Sequence, residues 1–160
     1  MRWLAALLML LPTTALCGTF VRYGVGIAES AEYGFGETRL LSLGYEETLI
    51  GPFVWQREVG LFLDEADFAG RKKSGFGNLS FGIETDPGYL LLRSLWGVGL
   101  ITGPDSILGG PFQFNQDLLV GFKGNNGCII GLDYKHISSA DIYSPNLGRN
   151  LLLVHVEIPW

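Results

Sequence analysis

The chain has 160 residues, 17% of them charged, and its 11 Lys and Arg against 16 Asp and Glu leave a net charge of −5. An acidic chain offers no broad positive field, which excludes nucleic acid as a partner. Of its two cysteines, Cys17 falls at the end of an N-terminal segment expected to be cleaved, and Cys128 alone cannot form an internal disulfide; no apolar run reaches the ~20 residues of a membrane-spanning helix.

The chain opens on Met1, Arg2 and Trp3, continues through an apolar run from Leu4 to Leu11, and turns to small residues after Pro12. This is the pattern of a secretory signal peptide over 1–17. Cleavage after Cys17 puts Ala15 and Cys17 at the small-residue positions of the site, whereas a lipoprotein signal needs a small residue where Leu16 stands. The remaining segment, 18–160, has 143 residues, suits one domain, and carries −6 once the +1 of Arg2 is removed from −5.

Beyond the signal, runs of about ten residues alternate apolar and polar side chains and are bounded by Gly, Pro, Asn or Asp. That spacing predicts strands near 19–27, 38–47, 53–63, 76–85, 89–99, 112–123, 127–138 and 149–160. The links between them alternate, with 28–37, 64–75, 100–111 and 139–148 long and 48–52, 86–88 and 124–126 short. An even number of antiparallel strands with short turns at one end and long loops at the other is the plan of an eight-stranded antiparallel transmembrane β-barrel of the bacterial outer membrane. At eight strands, side chains fill the interior. A soluble barrel of lipocalin type is the alternative, but it would turn its apolar parity inward and needs roughly 25–35% charged residues on its surface.

Splitting each segment by parity assigns its faces. In the fourth, Leu79, Phe81 and Ile83 oppose Asn78, Ser80, Gly82 and Glu84; in the sixth, Phe112, Phe114, Leu118, Val120 and Phe122 oppose Gln113, Asn115, Asp117 and Lys123. In the eighth, Leu152, Val154, Val156, Ile158 and Trp160 oppose Leu151, Leu153, His155 and Glu157. The polar sets predict a lumen holding Arg22, Glu46, Glu58, Glu84, Arg93, Asp117, Lys123, Asp133, Lys135, His155 and Glu157, charges of both signs that must pair to be buried. Arg57 shares parity with Trp55, Val59 and Leu61, so a bulge or a register shift is expected in the third strand. Trp160 ends the chain with outward parity, as a girdle residue would.

In the seventh segment, Cys128, Ile130, Leu132 and Tyr134 form the apolar face, and the count places His136 and Ser138 on it; Asn150 opens the outward face of the eighth. With the mature N-terminus in the periplasm, all three gather at the outer-leaflet edge, where lipid A carries ester-linked acyl chains. A histidine two residues from a serine on one strand face can serve as its general base, and Asn150 can orient the imidazole without neutralising it. The same residues also suit the ordinary polar rim of a strand, and both readings stand at this point. Arg71, Lys72 and Lys73 sit in a long loop, either meeting lipid A phosphates or simply solvated. Pro145, Asn146 and Gly148 predict the turn into the last strand. The run GFGNLSFG precedes no helix and is not a nucleotide loop. His155 reads as a lumen hydrogen-bonder, and no His, Cys and carboxylate cluster has metal-ligand spacing, so neither metal nor cofactor is expected.

The stretches FQFNQDLLVGF, GLDYKHISS and SPNLGRN resemble the PagL-type outer-membrane lipid A 3-O-deacylases, loosely over the mature barrel and more closely over the last fifty residues. The resemblance implies an integral outer-membrane serine esterase that hydrolyses the 3-O-linked hydroxyacyl chain of lipid A, with His136 as base and Ser138 as nucleophile. It implies lipopolysaccharide as substrate and no cofactor, and leaves open a homodimer. Two positions depart from the family pattern: Ser139 replaces the Asn assigned to the oxyanion hole, and Asn150 replaces the acid that orients the histidine. The competing expectation is a non-enzymatic barrel, structural or adhesive, that keeps the deacylase scaffold.

Overall fold

The structure, a computed structural model, describes residues 17–27, 38–63, 74–102, 108–144 and 148–160. The expected signal segment lies outside these residues but for Cys17, as do Arg71, Lys72, Lys73, Pro145 and Asn146. Eight strands follow in chain order: β1 (Cys17–Gly26), β2 (Arg39–Thr48), β3 (Phe53–Phe62), β4 (Ser74–Thr85), β5 (Leu90–Thr102), β6 (Phe112–Lys123), β7 (Ile129–Ser138) and β8 (Arg149–Pro159). Each pairs antiparallel with its neighbours, and β8 closes on β1. Period-two alternation alone therefore located every strand, because a closed sheet demands opposite chemistry on its two faces.

The faces are as the parity requires. Leu43, Phe122 and Leu132 stand 57%, 68% and 55% exposed on the outside, an apolar wall that belongs in lipid. Following paired residues from Ser138 leads through Phe114, Val98, Leu79, Arg57, Tyr45 and Thr19 to Ile158. One circuit thus starts at the long-loop end of β7 and finishes at the short-turn end of β8, so the strands are tilted and staggered as barrel closure requires.

Charged pairs fill the middle of the lumen. Arg22 Nε lies 2.9 Å from Asp133, and Lys135 Nζ lies 2.8 Å from both Glu58 and Asp117, all with buried side chains. Toward the short-turn end, Arg93 reaches Glu46, Glu84 and Glu157, and His155 Nε2 meets Glu157 at 3.2 Å. Lys123 has inward parity but pairs with Asp86 at the partly exposed short-turn rim rather than deep inside. Toward the long-loop end an apolar cluster closes the lumen, with Phe62, Phe76, Ile101, Leu108, Ile137 and Leu151 packed together. Gln113 ties Leu108 in place by donating to its carbonyl at 3.1 Å and to that of Gly110 at 2.6 Å. A space bordered by Phe76, Asn115 and Lys135 measures about 10 Å³, at the lower limit for one water, so the lumen is closely packed there.

The bulge expected at Arg57 is absent. Pairing of β2 with β3 runs unbroken from Leu40↔Phe62 to Thr48↔Val54, with Arg57 opposite Tyr45 on the outer face. Its guanidinium lies 4.1 Å over the Trp55 ring and 5.5 Å from the Tyr45 ring centre. Aromatic faces, rather than a register change, accommodate the cation on the lipid side. Glu47, also of outward parity, is covered in the same way, accepting a 2.7 Å hydrogen bond from Trp55 Nε1. At the short-turn end Trp160 donates to Thr19 Oγ1 at 2.9 Å and packs edge-on against Tyr45, the girdle position its parity predicts.

Candidate active site

The register of the last three strands assembles the site. His136 on β7 stands opposite Asn150 on β8 and opposite Gln116 on β6, so three polar residues form one transverse row on the outer face. Ser138 lies two residues nearer the long-loop end, opposite Phe114. His136, Ser138 and Asn150 are half-buried, turned toward the lipid side near the end of the wall.

The imidazole is held at one nitrogen. His136 Nδ1 lies 2.8 Å from Asn150 Oδ1, and an amide oxygen only accepts, so Nδ1 carries the proton and Nε2 is left as a base. Tyr134 OH donates to the same Oδ1 at 2.6 Å, so the amide oxygen is shared between the phenol and the imidazole. From behind, Asp133 and Lys135 alternate with these residues and are locked into the lumen charge network. The barrel thus holds the ring's direction from both faces of β7.

Gly148 shapes the space between base and hydroxyl. It adopts φ +67°, and a Cβ built on it would fall 3.1 Å from His136 Cε1 and 3.7 Å from Ser138 Cβ. A side chain there would strain the backbone and crowd the imidazole; bare backbone leaves a notch beside both groups. Among the described residues no hydrogen bond joins Ser138 Oγ to the ring. Such bonds commonly tighten only around substrate.

Ser139 points the other way. It is fully buried, and its Oγ donates to the Tyr143 carbonyl at 3.5 Å, within a turn closed by Ile142 N–H to the Ser139 carbonyl at 3.1 Å. Ala140 and Asp141 in that turn take φ of 48° and 63°, conformations that side chains seldom adopt and that cluster at functional sites. Arg71, Lys72 and Lys73 lie outside the described residues. Two neighbours went unrecognised in the sequence: Tyr134, counted only as part of an apolar face, and Gln116, whose even number in β6 gives it the same outward parity as His136. Two to four strands from the histidine, Trp96 and Val98 of β5, Leu79 and Phe81 of β4 and Trp55 of β3 line a mostly apolar groove of about 590 Å³ on the wall.

A family model described as "Lipid A 3-O-deacylase (PagL)" matches residues 43–159, from β2 to the end of β8. Among solved structures, the chain resembles the crystal structure of the outer membrane enzyme PagL, with a TM-score of 0.60 and 20% identity over 89% of this chain and 99% of that one. It also resembles Ail of Yersinia pestis in a nanodisc, at TM-score 0.54 and 12% identity over 90% of this chain and 99% of that one, and in a crystal, at TM-score 0.51 and 11% identity over 91% and 100%. No curated protein matches the sequence. Likenesses of so low an identity carry the barrel fold, while the family match runs through all the strands that build the site; the chain belongs to the PagL family of lipid A 3-O-deacylases and is an integral protein of the bacterial outer membrane.

Proposed function

We propose that this protein is a serine esterase that hydrolyses the 3-O-linked hydroxyacyl ester of lipid A from the lipid-facing wall of its barrel. The observation that carries the reading is the imidazole of His136, fixed through Nδ1 by Asn150 on an otherwise apolar wall, with Ser138 beside it. Lipid A stays in the leaflet while its ester meets Ser138 near the long-loop end.

Ser138 Oγ attacks the ester carbonyl as His136 Nε2 takes its proton. The tetrahedral intermediate collapses, and the leaving sugar oxygen takes that proton from the imidazolium. Water then attacks the acyl-enzyme with His136 again as base, releasing the hydroxy fatty acid and restoring Ser138. Ser139 follows the nucleophile in the chain; with its hydroxyl turned to Tyr143 and the Ile142 N–H spent on its carbonyl, any part it takes in holding the oxyanion would fall to its backbone N–H. Arg71, Lys72 and Lys73 would supply cations for the substrate's phosphates.

Asn150 orients the ring without stabilising the imidazolium that forms in each step. Asn150→Glu should therefore raise kcat at least tenfold in purified protein. A fall in kcat with the barrel intact would move the orienting role elsewhere, to Asp141 first. The reading as a whole is tested by mass spectrometry of lipid A from cells with and without the folded protein. Loss of one hydroxyacyl chain on expression is expected; an unchanged acyl pattern would leave a non-enzymatic barrel.

A further inference from the structure

On β6 the outward residues Phe112, Phe114, Leu118, Val120 and Phe122 are apolar, and Gln116 among them is exposed on the lipid side. Its pairing partner on one flank is His136 and on the other Trp96. A carboxamide held in hydrocarbon without a partner costs free energy, and this one stands directly beside the base of the proposed site. We infer that Gln116 reads a hydroxyl on carbon 3 of the acyl chain being cleaved, selecting 3-hydroxyacyl esters over plain acyl esters. The inference rests on the esterase reading and adds to it the residue that selects the hydroxylated chain.

The spacing fits that role. The row of Gln116 and His136 lies two residues deeper than Ser138, about 6.6–6.8 Å along the strand, and Gln116 is the diagonal neighbour of Ser138 across β6 and β7, within reach of a long side chain. An acyl chain whose carbonyl carbon meets Ser138 runs down into the hydrocarbon, past this row. Two C–C bonds of ~1.5 Å and one C–O bond put the carbon-3 hydroxyl roughly 3.5 Å from the carbonyl carbon. A hydrogen bond of ~2.8 Å covers the remainder. The selectivity has a physical source, because a plain acyl chain would leave the carboxamide unpaired in lipid, and sites that hydrogen-bond a substrate hydroxyl discriminate strongly against analogues lacking it. A wall open to the bilayer meets plain acyl esters of phospholipids as well, so it needs such a filter.

The test compares p-nitrophenyl 3-hydroxytetradecanoate with p-nitrophenyl tetradecanoate, using full-length protein in detergent micelles. Wild type should favour the hydroxylated ester at least tenfold in kcat/KM, and both Gln116→Leu and Gln116→Met should bring that ratio close to one. A ratio preserved in the variants, an equal fall on both esters, a wild type without preference, or failure of both variants to fold would each overturn the inference. Wild type inactive on both esters and on lipid A would instead remove the esterase reading beneath it.

Discussion

Ser138→Ala should lower lipid A deacylation by ~10,000-fold or more, while the protein still inserts and closes as a barrel. Ser138 is half-buried on the outer wall, so removing its Oγ leaves neither cavity nor orphaned partner in the lumen. Full Ser-His-acid triads lose still more on loss of the serine, about a millionfold. On the proposed mechanism this site would begin from a lower rate, because neutral Asn150 stands where such triads have an acid. His136→Ala should cost about as much, and the double variant little more, since the two groups act as a unit. Turnover within tenfold of wild type in either single variant would exclude the pair as the reacting groups.

Arg22→Leu is the second change with a large expected effect, here on stability. Arg22 lies 2.9 Å from Asp133 and 3.4 Å from Glu58 at zero side-chain exposure, and its Nε donates to His155 Nδ1 at 3.0 Å. Removing one partner of a buried pair leaves the other charged and undersolvated, at a cost of about 3–5 kcal/mol. Urea unfolding in detergent or bilayers, followed by tryptophan fluorescence, would read that loss. Replacing both sides, as Arg22→Leu with Asp133→Leu, should recover much of it, because well-packed apolar side chains are near-neutral substitutes for an ion pair. A single variant within about 1 kcal/mol of wild type would mean that water reaches this part of the lumen. The network also anchors β7 from the inside, so the weakened barrel should deacylate more slowly as well.

How much of this was legible in the sequence follows from what alternation encodes. A barrel between lipid and a packed polar lumen writes its face assignment into every second residue, so the strands and the buried Arg22, Glu58, Arg93, Asp133 and Lys135 could be read from parity alone. The convergence of His136 and Asn150 was legible for the same reason, since both have outward parity at the ends of adjacent strands. Parity does not encode cross-strand contact. Arg57 looked like a register fault because covering by Trp55 and Tyr45 depends on which residues pair across β2 and β3, and that follows from closure of the sheet. Tyr134 was counted as a greasy side chain, and its hydroxyl bond to Asn150 exists only once β7 and β8 are in register. Ser139 follows the serine in sequence yet turns inward, because alternation separates consecutive side chains. Gln116 and Glu47 were open to parity and missed.

The central claim is that an alcohol on the lipid-facing wall is made nucleophilic by the neighbouring imidazole. Reaction of the folded protein with a long-chain alkyl fluorophosphonate, followed by peptide mass spectrometry, tests it most directly. A single covalent adduct on Ser138 that disappears in His136→Ala is the expected result; no adduct, an adduct on another serine, or one that persists without His136 would contradict it.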